Sequence, residues 1–250
     1  MAYIECIPFV FPGVDAVRCL FSTKVAWSRD NEPQDANLAL GSAELSQQVL
    51  ANRRQLQDRF SIQRWREVRQ VHGTEMVLAD SRSTEAGQAP PQADALATAE
   101  ADTGLMIKVA DCQPLLIAHA SGRFIAAFHV GWRANRAGAL EKWIARFCRA
   151  YRIRAEEVLA VRGPSLSPAK SEFLNFDQEW GPEFAAYLDP ISRTVDLWRL
   201  TRDQLLAAGL PNDNIYSLDL CTYSLSETFF SHRRCQDLGR QAGIIWRNNG

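Results

Sequence analysis

No segment of the 250-residue chain is strongly charged, long and apolar, or repetitive, and each lack removes a class of function. Formal net charge is -1 and the arginines are scattered, with Arg53-Arg54 and Arg233-Arg234 as short pairs only. No general attraction to nucleic acid or to an anionic membrane is implied. No run approaches the ~18 apolar residues of a spanning helix. The opening MAYIECIPFVFPG has neither the basic start nor the apolar stretch of a secretory signal. The six cysteines lie far apart and form no CxxC, which speaks for reduced thiols rather than a disulfide framework. The expectation is a soluble cytoplasmic protein.

What is present is an ordinary globular composition, 46% hydrophobic and 23% charged, read as a single domain over residues 1–250. Ile4–Phe11 and Ala16–Ser22 read as opening strands split by Pro12-Gly13, and Lys24–Leu40 as a long polar loop. Ser42–Phe60 has helical spacing with Ser42 as its cap, and Trp65–Val71 reads as a strand that leaves His72 at its end. Ser81–Gln92 is a loop. Gly104–Ala110 is a buried strand, and Pro114–Ala120 with Arg123–Val130 forms a hairpin about Ser121-Gly122. Helices are expected over 137–151, 177–188 and 197–208, with strands at 157–162, 215–218 and 242–246. This irregular alternation predicts an α/β or α+β fold with mixed sheets.

The residues with the most chemistry are His72, Cys112 and His129, each beside a glycine or proline at the end of an apolar segment. A lone cysteine is usually a buried thiol, and a lone histidine usually a satisfied core residue. Together they make two imidazoles and a thiolate, a set that zinc takes. Their wide separation is not that of a zinc finger and favours an open site assembled by tertiary structure. Arg133 stands near a helix start, where it can hold an anion or simply lie on Trp132. Gln70 precedes His72 by two and can share its face. Asp111 can orient a ligand or act as acid or base, although strand alternation aims it away from Cys112 unless the break at Asp111-Cys112-Gln113-Pro114 turns the chain. His119 and His232 look spare.

Gln70-Val71-His72-Gly73, Asp111-Cys112-Gln113-Pro114 and His129-Val130-Gly131-Trp132-Arg133 resemble the signatures of the laccase-domain family. Its members also go by YfiH, peptidoglycan-editing factor, polyphenol oxidase and purine nucleoside phosphorylase. Asn37-Leu38, Ala93-Asp94-Ala95, Gly163-Pro164, Cys221-Thr222 and Phe229 to Arg234 follow in family order. The resemblance implies a four-layer α/β/β/α sandwich with zinc on His72, Cys112 and His129, and those residues with Arg133 in catalysis. Asn37, Gln70 and Asp111 would face substrate. It further implies phosphorolysis of adenosine, inosine, guanosine or methylthioadenosine, with deamination of adenosine beside it. The implied partners are a small nucleoside and phosphate, and the chain a monomer or homodimer. Departures fall at Ala134-Asn135, where Gly-Thr is usual, after Asn37-Leu38, at Ala169-Lys170-Ser171, and at His232 and Cys235.

Two further activities fit the same residues. Cys112 with His129 can serve as nucleophile and base of a cysteine-dependent amidase or cell-wall editing hydrolase. Two histidines and a cysteine can also take copper, but four histidines in all are too few for a multicopper oxidase, leaving at most weak phenol oxidation. A binding protein with a structural zinc is the remaining alternative.

Overall fold

A computed structural model describes residues 3–28, 32–40, 43–79, 89–236 and 238–248. The strands are β1 (Tyr3–Phe9), β2 (Val17–Trp27), β3 (Pro33–Asp35), β4 (Arg64–Arg66), β5 (Met76–Leu78), β6 (Ala95–Thr98) and β7 (Thr103–Val109), then β8 (Gln113–His119), β9 (Ile125–Val130), β10 (Val158–Arg162), β11 (Leu188–Asp189), β12 (Thr194–Val195), β13 (Ile215–Ser217) and β14 (Gln241–Arg247). The helices are α1 (Ala43–Phe60), α2 (Trp132–Arg136), α3 (Ala139–Tyr151), α4 (Phe176–Glu179), α5 (Leu197–Ala207) and α6 (His232–Cys235). No helix among the described residues is long and apolar enough to cross a membrane.

Two six-stranded sheets stack face to face. The first runs β1-β2-β14-β7-β4, with β3 added to β2; the second runs β13-β10-β8-β9-β6-β5. Both are mixed: β4 pairs parallel with β7, β13 with β10 and β5 with β6, and the other ladders are antiparallel. Strand alternation sorts the side chains into three cores. Leu105, Ile107, Phe21 and Ile245 of the first sheet meet Leu96, Leu116, Ala118 and Val161 of the second in the central core. Met106, Leu20 and Ile244 point the other way, against Leu56 of α1. Leu115, Ile117 and Phe128 point outward against Trp143, Ile144 and Phe147 of α3 and Leu205 of α5. The layer order is therefore α/β/β/α, the expected mixed-sheet sandwich.

The local reasons are plain in the sequence. Every residue of β8 and β9 is buried, which matches their unbroken apolar runs, because both faces of the second sheet are covered. In α3, Leu140, Trp143, Ile144 and Phe147 recur at helical spacing and form its buried face.

Three local expectations are corrected. Within 24–40, β2 continues to Trp27 and β3 pairs back onto it, so this is a strand return rather than one long loop. The segment after Trp65 leaves the sheet at Arg66, and His72 sits in a turn with φ of +59° rather than at a strand end. The helix expected over 137–151 is α3, which starts just after Gly138 in the left-handed conformation; the short α2 precedes it as a separate element. Residues 177–188 hold short α4 and a 3-10 turn, Pro182–Tyr187, divided at Gly181-Pro182. Ser42 and most of the 81–92 loop lie outside the described residues. All six cysteines are unpaired.

Gly163 marks how closely the sheets approach. A Cβ built there would lie 2.2 Å from Cε1 of Phe21, a ring of the central core. Gly163→Ala is expected to destabilise the fold by roughly 1–3 kcal/mol through overpacking. Urea unfolding tests this, and an unchanged midpoint would show that Phe21 yields freely.

Candidate metal centre

The chain reaches one rim of the sandwich three times, at the turn after β4, at the β7–β8 break and at the end of β9. His72, Cys112 and His129 are carried there, one on each approach, and their ligand atoms all lie within 4.8 Å of one another. Cys112 Sγ is 3.9 Å from His72 Nε2, and the two imidazole rings meet edge to face at 4.8 Å. His129 is buried, Cys112 half-buried and His72 exposed, so the cluster opens to one side.

Asp94 organises this convergence, and sequence reasoning gave it no role. Its carboxylate, fully buried, accepts hydrogen bonds from the backbone N–H groups of Val71, His72 and Gly73 at 3.2, 2.9 and 2.7 Å. His129 Nδ1 donates to the same carboxylate at 2.7 Å, and His129 N donates to the Asp94 carbonyl. One side chain thereby fixes two of the three clustered residues and turns His129 Nε2 toward the cluster. The sequence did hold a signal: a carboxylate before a fully apolar strand is costly unless several donors meet it. Burial would raise the Asp94 pKa, but the bonds from His129, Gly73 and His72 hold it below the ordinary value.

The thiol and imidazole are coupled as well. Burial opposes charge on both, yet the neighbouring His129 and His72 lower the Cys112 pKa, while Cys112 and Asp94 raise that of His129. Their preferred pairing is thiolate with imidazolium, the ionised sulfur that metal ligation and nucleophilic attack both need.

Gly131 is packed against the cluster. A Cβ there would come 3.2 Å from His72 Cδ2 and 3.3 Å from Cys112 Sγ. A side chain in the turn after β9 would therefore press on these two residues and push them apart by a few tenths of an ångström.

The cluster lies in the wall of a cleft of about 680 Å³, a volume within the range of small-molecule sites. Arg133 lines it, exposed, with its guanidinium 4.3 Å above the Trp132 ring. Gln70 also lines it, but its amide accepts from Lys108 N and donates to Lys108 O, extending the first sheet past β4. Asp111 has φ of +94°, so the chain does turn at the break, and Asp111 shares the cleft with Cys112. Its two oxygens accept from Thr222 Oγ1 and from the Arg233 N–H. Asn37 is not in the cleft wall. Its Oδ1 accepts from the N–H groups of Ala39 and Arg240, and those two residues are in the wall.

Of the spare histidines, His119 stays on its hairpin beside Ser121, whereas His232 lines the cleft. Ala134 and Asn135 are buried and face away from the cleft. Asn135 donates to Thr201 and Gln204 of α5, and Thr201 also accepts from Gln113 beside Cys112. That departure from the usual Gly-Thr is thus a packing feature behind the site.

Asp94→Asn is expected to weaken metal affinity about 10- to 100-fold, as loss of a ligand's supporting carboxylate does. Gly131→Ala should weaken it too, with the melting temperature of the metal-free chain held. Chelator competition with thermal melts checks both, and wild-type affinity in either variant would contradict the packing described.

The model of the family described as multi-copper polyphenol oxidoreductase laccase matches residues 18–248. A purine nucleoside phosphorylase of Xylella fastidiosa strain Temecula1 is 35% identical over 195 residues, covering 74% of this chain and 72% of that protein. A purine nucleoside phosphorylase of Pseudomonas aeruginosa is 29% identical over 245 residues, covering 94% and 96%. Among solved structures, a Neisseria meningitidis protein superposes with a TM-score of 0.81 at 27% identity, covering 98% of this chain and 99% of that one. YlmD of Geobacillus stearothermophilus gives a TM-score of 0.81 at 26% identity, covering 95% and 94%.

Proposed function

Because the chain belongs to the multi-copper polyphenol oxidoreductase laccase family, we propose that its rim cleft is the active site of a zinc-dependent purine nucleoside phosphorylase. Relatives bearing that name at about this similarity support the reaction class. The observation that carries the metal is the convergence of two imidazoles and one thiol within 4.8 Å, on a cleft open to solvent.

The donor set suits zinc. Cys112 supplies a sulfur inclined to ionise, His129 is held with Nε2 inward by Asp94, and His72 Nε2 already faces the sulfur. Three protein donors are the number found in catalytic zinc sites, where one position stays free. Bound there, zinc would act as a Lewis acid beside the substrate.

The chain's own residues do the rest. Arg133, stacked on Trp132, presents a guanidinium to a phosphate oxygen without ordering a free side chain. Asp111 holds Arg233 and the 222 segment against the cleft, and Gln70 and Asn37 fix the strands that form its walls. The substrates are inosine, adenosine, guanosine or methylthioadenosine, with adenosine deamination as an accompanying activity in the same cleft.

One observation favours a second reading. Cys112, His129 and Asp94 stand as nucleophile, base and orienting carboxylate, the order of a cysteine hydrolase. The second imidazole on the same sulfur, His72, has no part in such a triad and weighs toward metal. Copper could occupy the same donors, but His119 is engaged on its hairpin away from them, so a multicopper centre does not fit.

Zinc-loaded protein incubated with inosine is expected to release hypoxanthine only when phosphate is present, and Cys112→Ala should abolish that release. Chromatographic resolution of free base and ribose phosphate reads the result. Cleavage of an amide substrate by zinc-free protein would instead support the hydrolase triad.

A further inference from the structure

A second cavity, about 540 Å³, adjoins the cleft and shares with it Ala39, Val68, Arg69 and Lys108. At this junction three charged side chains form one group. Arg53 forks onto Glu67 at 2.9 and 3.2 Å and donates twice to the Leu38 carbonyl, so its donors are largely spent. Lys108 Nζ bonds the same Glu67. Two cations thus share one carboxylate in a setting where all three side chains are at most 19% exposed. The group carries one uncompensated positive charge.

A half-buried surplus charge is costly unless another group meets it. Among the described residues Glu67 is the one side-chain partner of the Lys108 ammonium, which has three N–H donors. Burial and the nearby Arg53 pull the Lys108 pKa down, against the opposing pull of Glu67. Arg69 lines both cavities with it, on a backbone pinned at both ends, its N–H donating to Pro91 and its carbonyl accepting from Ala93. The Arg69 guanidinium is exposed and has no partner among the described residues. Across both cavities the lining acids are Glu67 and Asp111, and both carboxylates are already engaged.

We infer that Lys108 and Arg69 form a phosphate subsite at the junction of the two cavities, separate from Arg133. The ammonium supplies a compact charge and the guanidinium a fork suited to two oxygens. The phosphate is either free or carried on the ribose 5′ carbon of the nucleoside. Assigning it to a substrate rests on the phosphorylase reading, whereas the subsite itself rests on the charge arrangement.

Calorimetric titration of zinc-loaded protein with inorganic phosphate, inosine 5′-monophosphate and inosine tests this. Lys108→Met and Arg69→Met should each weaken a phosphate-bearing ligand by about tenfold or more, with inosine affinity unchanged. A response of inorganic phosphate identifies free phosphate; a response of the monophosphate alone identifies the ribose-borne group. Equal affinity of both phosphate ligands for wild type and both variants overturns the inference. Arg69 is exposed, so its variant stays informative if Lys108→Met unfolds. Failure of inosine to bind or turn over would sink the phosphorylase reading while leaving the phosphate titrations to decide the subsite.

Discussion

The site depends on one buried carboxylate. Asp94 accepts from three successive backbone N–H groups and from an imidazole, a density of donors that offsets the cost of taking a charge out of water. The same bonds impose geometry. They hold residues 71–73 in a turn with His72 at positive φ, and they set which nitrogen of His129 is free. Without that carboxylate, nothing in the local sequence of either histidine would bring them together.

Around this point the sandwich supplies rigidity. β8 and β9 are buried on both faces, so the ends that carry Cys112 and His129 are fixed by two cores rather than by one. The chain turns sharply at Asp111 and enters β8 through Cys112, which leaves the sulfur at the rim and not between the sheets. Gly131 lets the next turn pass close behind it. An open side is what this cluster has in common with catalytic zinc sites, whereas structural ones are closed.

Polar side chains near the cleft divide into those that build walls and those free to meet a ligand. Gln70, Asn37 and Asp111 spend their polar atoms on backbone groups or on Thr222. Arg133, Arg69 and Lys108 keep donors available, so the cleft's character is cationic although the whole chain is nearly neutral. An anionic reactant suits such a place, and phosphate is the one that the proposed phosphorylase chemistry would supply.

The sequence by itself determined the sheet-forming runs, the hairpin at Ser121-Gly122, the amphipathic α3 and the three residue types of the centre. These are legible because burial leaves a period in the chain and because ligand chemistry belongs to the side chain alone. Tertiary structure decided what that pattern cannot encode. The role of Asp94, the inward nitrogen of His129 and the wall-building use of Gln70 depend on partners 22, 35 and 38 residues away, brought together by the packed strands. The turn holding His72 likewise follows from where hydrogen bonds find partners, not from hydrophobic spacing. Ala134-Asn135, conspicuous in the sequence, lies behind the site because the short α2 turns those side chains toward α5. Side-chain identity is local, but the partner that gives it a function is set by the packed whole.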